Sequence, residues 1–493
     1  MSQSIYKKIV QDIGIIGIAN ILQSFGGLIL IPVITKILGV HDYGLYVQFY
    51  VTIALITGFA TLGLPYATVR FLAGVKDKEQ IQDDVYSSIV LIFISGLIVS
   101  FCLIIFSSTI AEYLFDGSII FVRILAIIIP LECLGGTLLN LFRVFQKIKE
   151  HTIFSIIRTY TELAVIILVI FEGYGIIEVA VSVLIIRFLL LIVLVVIITS
   201  WIGIRVPRFS RMKEYFKFSL PTIPTNVAGW VTNSSDRYII AIFLGVTFVG
   251  YYNPGYALGG LILMFMTPVN FVLVAVVAKY YEEQKIDMVR DILKYAIKYF
   301  LLLAIPAFFG LSILSKPILT IISTPEIAEQ GYLVTPFIAF SMILTGLGGV
   351  AIGQSLYLAK KTHISMMNGL IVAGTNFGLN MVLIPTMGII GAAIATMAAF
   401  LAGYAFGVPF ALKYFDFDID WLSIAKILIA SIIMSIIIIN LHPVTIMGLL
   451  LTILVGLVTY VAIIVLLKTI NKDEITFFKS FADTKKNHES SQD

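Results

Sequence analysis

About fourteen apolar stretches, each long enough to cross a bilayer, follow one another through almost the whole chain. Nothing else in the sequence constrains the fold as much. A spanning helix needs roughly 20 apolar residues, and hydrocarbon accepts only helices or closed barrels, because no N–H or C=O can be left unpaired there. Barrel strands would alternate polar and apolar residues. Runs such as Leu189–Ile198 and Ile427–Ile439 do not alternate, so the spans are helices. The predicted fold class is an all-α polytopic membrane protein.

The spans are expected at 13–38, 43–66, 86–107, 118–142, 153–171, 176–201, 218–244, 248–277, 295–320, 332–358, 364–384, 388–412, 423–441 and 445–467. This divides the chain into an amphipathic cytoplasmic lead-in (1–12), a first six-helix lobe (13–201) and a cytoplasmic linker (202–217). A second six-helix lobe (218–412), two further helices (423–467) and a polar, disordered cytoplasmic tail (468–493) follow. No connection is long enough to fold alone. Ser2–Asp12 lacks an apolar core and a small-residue cleavage site, so no cleavable signal peptide is expected. The charged fraction is 13% and the net charge +4, too little and too dispersed for nucleic acid binding. Cys102 and Cys133 fall inside spans, which disfavours a disulfide framework or a zinc site.

Loop charges set the orientation. Five cations lie within spans: Arg123, Arg158, Arg187, Arg237 and Lys426. With both termini cytoplasmic, every other Lys and Arg, Lys298 among them, falls on the inner side except Lys36 and Lys316. That asymmetry is the positive-inside bias of a cytoplasmic membrane protein.

The sequence also repeats. Leu38-Gly39-Val40 with Tyr43-Gly44-Leu45-Tyr46 returns 206 positions later as Leu244-Gly245-Val246 with Val249-Gly250-Tyr251-Tyr252. Gly175-Ile176-Ile177-Glu178-Val179-Ala180 returns as Gly388-Ile389-Ile390-Gly391-Ala392-Ala393 at an offset of 213. Both echoes sit at outward turns, which implies a duplicated six-helix unit. An even number of helices keeps both copies in one topology, with a pseudo-two-fold along the membrane normal.

These same residues carry a resemblance. Leu38-Gly39 followed by Asp42-Tyr43-Gly44-Leu45-Tyr46 resembles the first outer turn of polysaccharide flippases. Gly63-Leu64-Pro65-Tyr66-Ala67-Thr68-Val69-Arg70 resembles the end of their second helix. Ser235-Asp236-Arg237-Tyr238-Ile239-Ile240 with Gly250-Tyr251-Tyr252 resembles their seventh helix and its turn. The chain is similar over its whole length to the Wzx-type oligosaccharide branch of the multidrug/oligosaccharidyl-lipid/polysaccharide exporter superfamily. The resemblance implies two lobes around a central cavity that moves a polyprenyl-diphosphate oligosaccharide between leaflets. Lipid-linked oligosaccharide and membrane lipid are then the partners, with a glycan polymerase or glycosyltransferase as further candidates. Alternatives are a cation-coupled multidrug exporter or a cell-wall precursor flippase of the same superfamily.

A charge in mid-membrane costs at least about 2.5–3.5 kcal/mol, so it has a partner or a task. Arg187, with no acid three or four residues away, is a candidate phosphate contact or the partner of Glu132 or Glu162 on another helix. Arg237 is a second phosphate candidate, because a guanidinium fork suits a diphosphate. Its neighbour Asp236 is expected to face elsewhere, since adjacent helical positions differ by about 100°. Asp236 and Glu162 are the candidates for coupling H⁺ or Na⁺; no other cofactor is expected. Arg158 with Glu162, four apart, and Arg123 with Glu132 are candidate structural ion pairs. Asn226, Trp230, Asn233, Asn253 and Tyr256 are candidate sugar contacts. Gly and Pro concentrate on helices 1, 2, 7, 8 and 10, where bending would serve alternating access. A glycan-assembly enzyme would need a reactive constellation on a sizeable outer loop. The histidines are dispersed and no HExxH, CxxC or nucleotide loop occurs, so no enzyme is expected.

Overall fold

The computed structural model describes residues 3–266, 269, 273, 276, 277, 280–415, 419–470 and 474, with backbone alone at 3–16 and 18. Most of the second half of the expected 248–277 span and of the polar tail therefore lies outside the described residues. Helices, in chain order, are α1 (Gln3–Ile37), α2 (Val40–Ala60), α3 (Leu64–Leu72), α4 (Lys78–Ile105), α5 (Ser107–Leu114) and α6 (Ile119–Val144). Then come α7 (Ile148–Phe171), α8 (Ile176–Ile202), α9 (Met212–Ser219), α10 (Ile223–Leu244), α11 (Val246–Gly260) and α12 (Ile286–Ile322). The rest are α13 (Pro325–Gly331), α14 (Val334–Gly348), α15 (Ser355–Leu358), α16 (Thr362–Tyr414), α17 (Trp421–Ile438) and α18 (Ile446–Leu466). No break separates the lead-in from the first span, since α1 is helical from Gln3 onward.

Among the described residues eleven helices are long and apolar enough to cross a membrane, so by that measure the expected fourteen are not reached. Three places make the difference. Helix α16 runs for 53 residues with Gly388 at φ 65°, ψ −148° inside it. A straight helix of that length would measure about 80 Å, against a hydrocarbon core of about 30 Å. The left-handed φ at Gly388 breaks the axis, and the chain folds tightly enough that a Cβ on Gly391 would sit 2.3 Å from the Leu383 carbonyl oxygen. Helix α10 carries Asp236 and Arg237, which lower its hydropathy, and α11 stops at Gly260 after 15 residues.

The two echoes of the sequence are symmetric in space. Gly39 and Gly245 both precede a helix with φ near 95° (94° and 97°), a conformation that favours glycine. Helices α2 and α11 then cross at two points. A Cβ on Gly44 would lie 2.1 Å from the Val246 carbonyl oxygen, and one on Gly250 would lie 2.3 Å from that of Val40. Both residue pairs are related by the 206-residue offset, so the contact is isologous, as a two-fold requires. Gly39 and Gly245 therefore share one face of the molecule. On that face the Lys36 ammonium at the end of α1 also donates to the Ile321 carbonyl at the end of α12 (2.6 Å).

The segment between the lobes is a strap fastened to α4 rather than a free linker. Gln82 and Tyr86 donate to the carbonyls of Ile202 and Gly203. Asp83 accepts from the Arg208 amide and the Ser210 hydroxyl, and Ser87 from the Phe209 amide. Arg205 pairs with Glu79 at 2.8 Å and Arg211 with the buried Asp84 at 3.1 Å. Tyr215 donates to the same Asp84 carboxylate, and burial together with that charge pushes its phenol well above the ordinary value. Helix α9 packs on α3, where Gly63 leaves room for the Ser219 carbonyl.

Helices α17 and α18 pack together and against α12, exposing Leu450, Val458, Val465 and Leu466 outward. Lys298 is not a loop cation as expected: it is buried within α12. It donates to Glu474 at 2.5 Å, to the Thr469 carbonyl at 2.8 Å and to Asp420, the N-cap of α17, at 3.3 Å.

Candidate functional site

Four helices of the first lobe converge on a buried group of charges. Glu132 on α6 accepts from Arg158 on α7 at 2.7 and 2.9 Å, and from Arg187 on α8. Arg187 also donates to Glu162 on α7 at 3.3 Å, and the Tyr50 hydroxyl of α2 donates to the same carboxylate. The Arg187 guanidinium lies 5.6 Å from the centroid of the Tyr50 ring. Two arginines and two glutamates balance, so the cluster is neutral.

This pairing differs from that expected along the helix. Arg158 does not pair with Glu162, four residues on, but with Glu132 across the helix interface. The cause is burial. Arg187 keeps only 7% of its side-chain surface exposed, so it draws a carboxylate from each neighbouring helix. Arg158, at 25%, needs only one. Of the two roles open to Arg187, the cross-helix pair is the one present, with both glutamates. Arg123 is exposed, and Glu132 is occupied by Arg158 and Arg187, so the expected Arg123–Glu132 pair is absent among the described residues.

A second group lies on α10 and α11. Arg237 donates through Nη1 to Asp236 (2.8 Å) and to the Asn233 carbonyl (2.6 Å), and through Nη2 to Asn253 (3.3 Å). Asp236 was expected to face away from Arg237, yet the two pair. The 100° separation holds for the Cα–Cβ bonds, but the long arginine side chain folds back along its own helix and reaches the neighbouring carboxylate. The other oxygen of Asp236 accepts from Tyr252 (2.6 Å), and Arg237 stacks 3.9 Å from the centroid of Tyr256. Asn253 donates across the lobe boundary to the Tyr43 hydroxyl at 2.8 Å.

The two groups share a design. Tyr46 and Tyr50 on α2 recur at the 206-residue offset as Tyr252 and Tyr256 on α11. In each lobe a buried arginine lies over one of these rings, and a carboxylate accepts from one of the hydroxyls. Tyr46, Tyr252 and Tyr43 were missed by reading charges alone. The repeat pointed to Tyr46 and Tyr252, because Tyr-x-x-x-Tyr follows each echo; Tyr43, whose counterpart is Val249, had no such signal.

Around these groups the structure is hollow. A cavity of about 360 Å³ is lined by Gln23, Tyr46, Tyr50, Arg158, Glu162 and Arg187 among others. A second, about 410 Å³, lies between the lobes, lined by α1 and α2 on one side and by Arg237, Asn253 and Ala257 on the other. Gly27, Tyr46 and Tyr50 line both, so Arg187 and Arg237 face neighbouring compartments across one wall. A third, about 900 Å³, lies in the second lobe and includes Asn233. Asn226 accepts from Tyr66 at 3.4 Å, at the end of α10 remote from Gly245. Trp230 donates to the Val51 carbonyl at 3.3 Å and packs edge-on against Tyr238, so it joins α10 to α2. Tyr256 lies against Arg237, with Asn253 beside it.

Comparisons with known proteins agree with this architecture. A family model described as polysaccharide biosynthesis protein matches residues 9–281. A probable low-salt glycan biosynthesis flippase, Agl15, of Haloferax volcanii is 24% identical over 236 residues, 47% of this chain and 50% of that protein. A probable flippase of the same organism, AglR, is 26% identical over 183 residues, 36% and 38% of the two chains. The match thus spans about half the length, or less, of these curated relatives. Among solved structures, lipid II flippase MurJ in an inward closed conformation superposes with a TM-score of 0.74 at 19% identity, covering 90% of this chain and 97% of that one. An inward-facing multidrug resistance MATE family transporter of the MOP superfamily gives a TM-score of 0.66 at 14% identity, covering 80% and 95%. These likenesses are of fold.

Proposed function

The chain belongs to the polysaccharide biosynthesis protein family, and on that premise we propose that it is a flippase. It moves a polyprenyl-diphosphate oligosaccharide across the cytoplasmic membrane by alternating access, for cell-surface polysaccharide or glycan assembly. The observation that carries the reading is the pair of adjoining cavities with Arg158, Arg187 and Arg237 in their walls. A hydrated glycan and its diphosphate are refused by hydrocarbon, whereas the polyprenyl tail is at home there. A transporter for such a molecule needs a polar, cationic compartment within the membrane.

Every arginine of the two groups is already paired, which makes the resting cavity cheap to hold in a membrane. An arriving diphosphate offers the same bidentate geometry as a carboxylate. It displaces Glu132 or Glu162 from the guanidinium forks, and the freed carboxylate is stabilised by taking up H⁺ or Na⁺. Substrate entry and cation uptake are coupled through this exchange, with Glu162 and, at Arg237, Asp236 as the exchanging acids. The reading includes cytoplasmic termini, fourteen spans, no enzymatic step and the lipid-linked glycan as partner. A multidrug exporter for cationic compounds would offer carboxylates unencumbered by arginines; here Glu162 and Asp236 each hold one and Glu132 holds two.

The test is flipping of a labelled polyprenyl-diphosphate oligosaccharide in proteoliposomes. Arg187→Ala and Arg237→Ala should lose transport, while lysine at either site, which keeps charge but not the fork, retains part of it. Asp236→Asn should weaken gradient-driven transport more than downhill flipping. Normal transport by both alanine variants, in folded protein, refutes the mechanism.

A further inference from the structure

The cavity of about 900 Å³ in the second lobe differs in chemistry from the two beside it. Among the described residues that line it there is no Asp, Glu, Lys or Arg. Its polar groups are hydroxyls, two amides and the imidazole of His363, and four of the hydroxyl and amide donors are already committed. The hydroxyl of Thr232 donates to the Ala228 carbonyl (3.0 Å), that of Thr345 to Ser341 (2.8 Å) and that of Tyr404 to Leu344 (2.8 Å). The Asn233 amide donates to the Gly229 carbonyl (2.7 Å). What each of these groups has left is oxygen lone pairs. The Asn368 carbonyl oxygen, buried without a partner, adds another acceptor. A wall of hydroxyls and amides with spare acceptors suits a ligand rich in O–H groups, and it offers phosphate or carboxylate oxygens no arginine or lysine.

We propose that this cavity receives the uncharged sugar residues of the substrate, while the diphosphate stays with the arginines. The inference rests on the flippase reading and deepens it, because it assigns the glycan to a different wall from its phosphates and limits it to neutral sugars. Continuity supports the assignment. Asn233 lines this cavity, and its backbone carbonyl accepts from Arg237, so the two compartments are one residue apart. The volume falls in the upper range of small-molecule sites, roughly 300–1,000 Å³, room for several sugar rings. Glycines 229, 348, 353, 369 and 403 leave the wall concave.

The experiment uses the full chain in proteoliposomes with three probes: a polyprenyl-diphosphate tetrasaccharide of neutral hexoses, one of uronic acids, and a polyprenyl-diphosphate monosaccharide. The wild type should prefer the neutral tetrasaccharide to the acidic one. Thr345→Val with Asn368→Ala should raise KM for the neutral tetrasaccharide, relative to the monosaccharide, roughly tenfold for two lost hydrogen bonds. Thr345→Ser, which keeps the hydroxyl, should restore most of its share. Asn368→Lys should reverse the preference towards the acidic probe, which a merely structural role for Asn368 would not do. If the wild type moves none of the probes, the flippase reading fails. If it moves them but shows no preference, or the variants shift all probes alike, the glycan assignment is overturned and the flippase reading stands. Should the double variant not fold, Thr345→Val alone decides by the same ratio.

Discussion

Gly44→Ala is the smallest perturbation that addresses the contact between the lobes. The Cβ it adds would lie 2.1 Å from the Val246 carbonyl oxygen and 3.2 Å from the Gly250 nitrogen, all backbone and unable to turn aside. A carbon requires about 3.3 Å from a carbonyl oxygen, so α2 and α11 must separate by about 1 Å on the Gly39 face. Overpacking of this kind costs about 1–3 kcal/mol. The gain in helix propensity from Gly to Ala, about 1 kcal/mol, acts in every conformer in which residue 44 is helical and does not relieve the clash. A penalty of about 2 kcal/mol on the closed arrangement shifts its population roughly thirtyfold against a conformer in which α2 and α11 have parted.

Ser24, exposed in the wall of the interlobe cavity, provides the reporter. With Cys102, the exposed native cysteine, replaced by serine, Ser24→Cys is labelled with a membrane-impermeant thiol reagent applied from the Gly39 face. Gly44→Ala should raise that rate at least about tenfold, and Gly250→Ala should do the same, because its Cβ meets the Val40 oxygen at 2.3 Å. Gly58→Ala, on the same helix with nothing within 4 Å of the added carbon, should leave labelling unchanged and raise thermal stability slightly. Unchanged labelling in both interface variants, with unchanged melting temperature, would refute the expectation that this backbone contact limits access to the interlobe cavity from the Gly39 face.

Arg187→Met should lower stability by about 3–5 kcal/mol, since it leaves Glu132 and Glu162 buried with less compensation; Arg187→Met with Glu162→Gln should recover much of the loss in detergent melting curves. Lys298→Met deprives Glu474 and Asp420 of the ammonium between them, so it should destabilise to a similar degree, with Glu474→Gln as partial rescue by the same measurement. Asp83→Ala removes the acceptor that holds the Arg208 amide and the Ser210 hydroxyl, and should speed trypsin cleavage at Arg205 or Arg208 roughly tenfold.

The all-helical membrane fold was legible because burial in lipid needs long apolar runs, and those are written directly in composition. The duplication was legible for a similar reason. Glycines are required where a turn needs positive φ or where two backbones meet, so Gly39 with Gly44 had to recur as Gly245 with Gly250. The strap was not legible: 202–217 reads as a polar, basic linker, and only the fold shows Asp83 and Asp84 on α4 waiting for it. Length and hydropathy alone recover eleven spans among the described residues, short of the expected fourteen, for a physical reason. Membership of a bundle depends on neighbours as well as hydropathy. Helix α10 carries two charges inside the bundle because α11 shields them, and Gly388 reverses a chain whose hydropathy never falls.

The charges were found, and Glu132 and Glu162 were open partners for Arg187, but the pairing of Arg158 with Glu132 and of Arg237 with Asp236 was not legible, since side-chain reach and contacts between helices obey no spacing along the chain. Arg158 and Arg187 could be placed in the membrane from the sequence; that both would meet on Glu132 could not. The tyrosines were the more regular signal. Tyr46 and Tyr50 recur as Tyr252 and Tyr256, yet the charges around them do not follow the repeat. In the first lobe they come from α6, α7 and α8, and in the second from α10 alone. Each lobe thus supplies a ring pair on equivalent helices, while cation and carboxylate have been recruited from inequivalent ones. A duplication that kept the platform and let the charges diverge yields walls of different polarity around adjoining cavities. The first lobe confronts them with Arg187 and Glu162, and the second with Arg237 and, one residue further, with a hollow that no Asp, Glu, Lys or Arg lines among the described residues. On the flippase reading, a ligand anionic at one end and neutral at the other therefore meets arginines in the two smaller cavities and, for polar side chains, only hydroxyls, amides and an imidazole in the largest of the three.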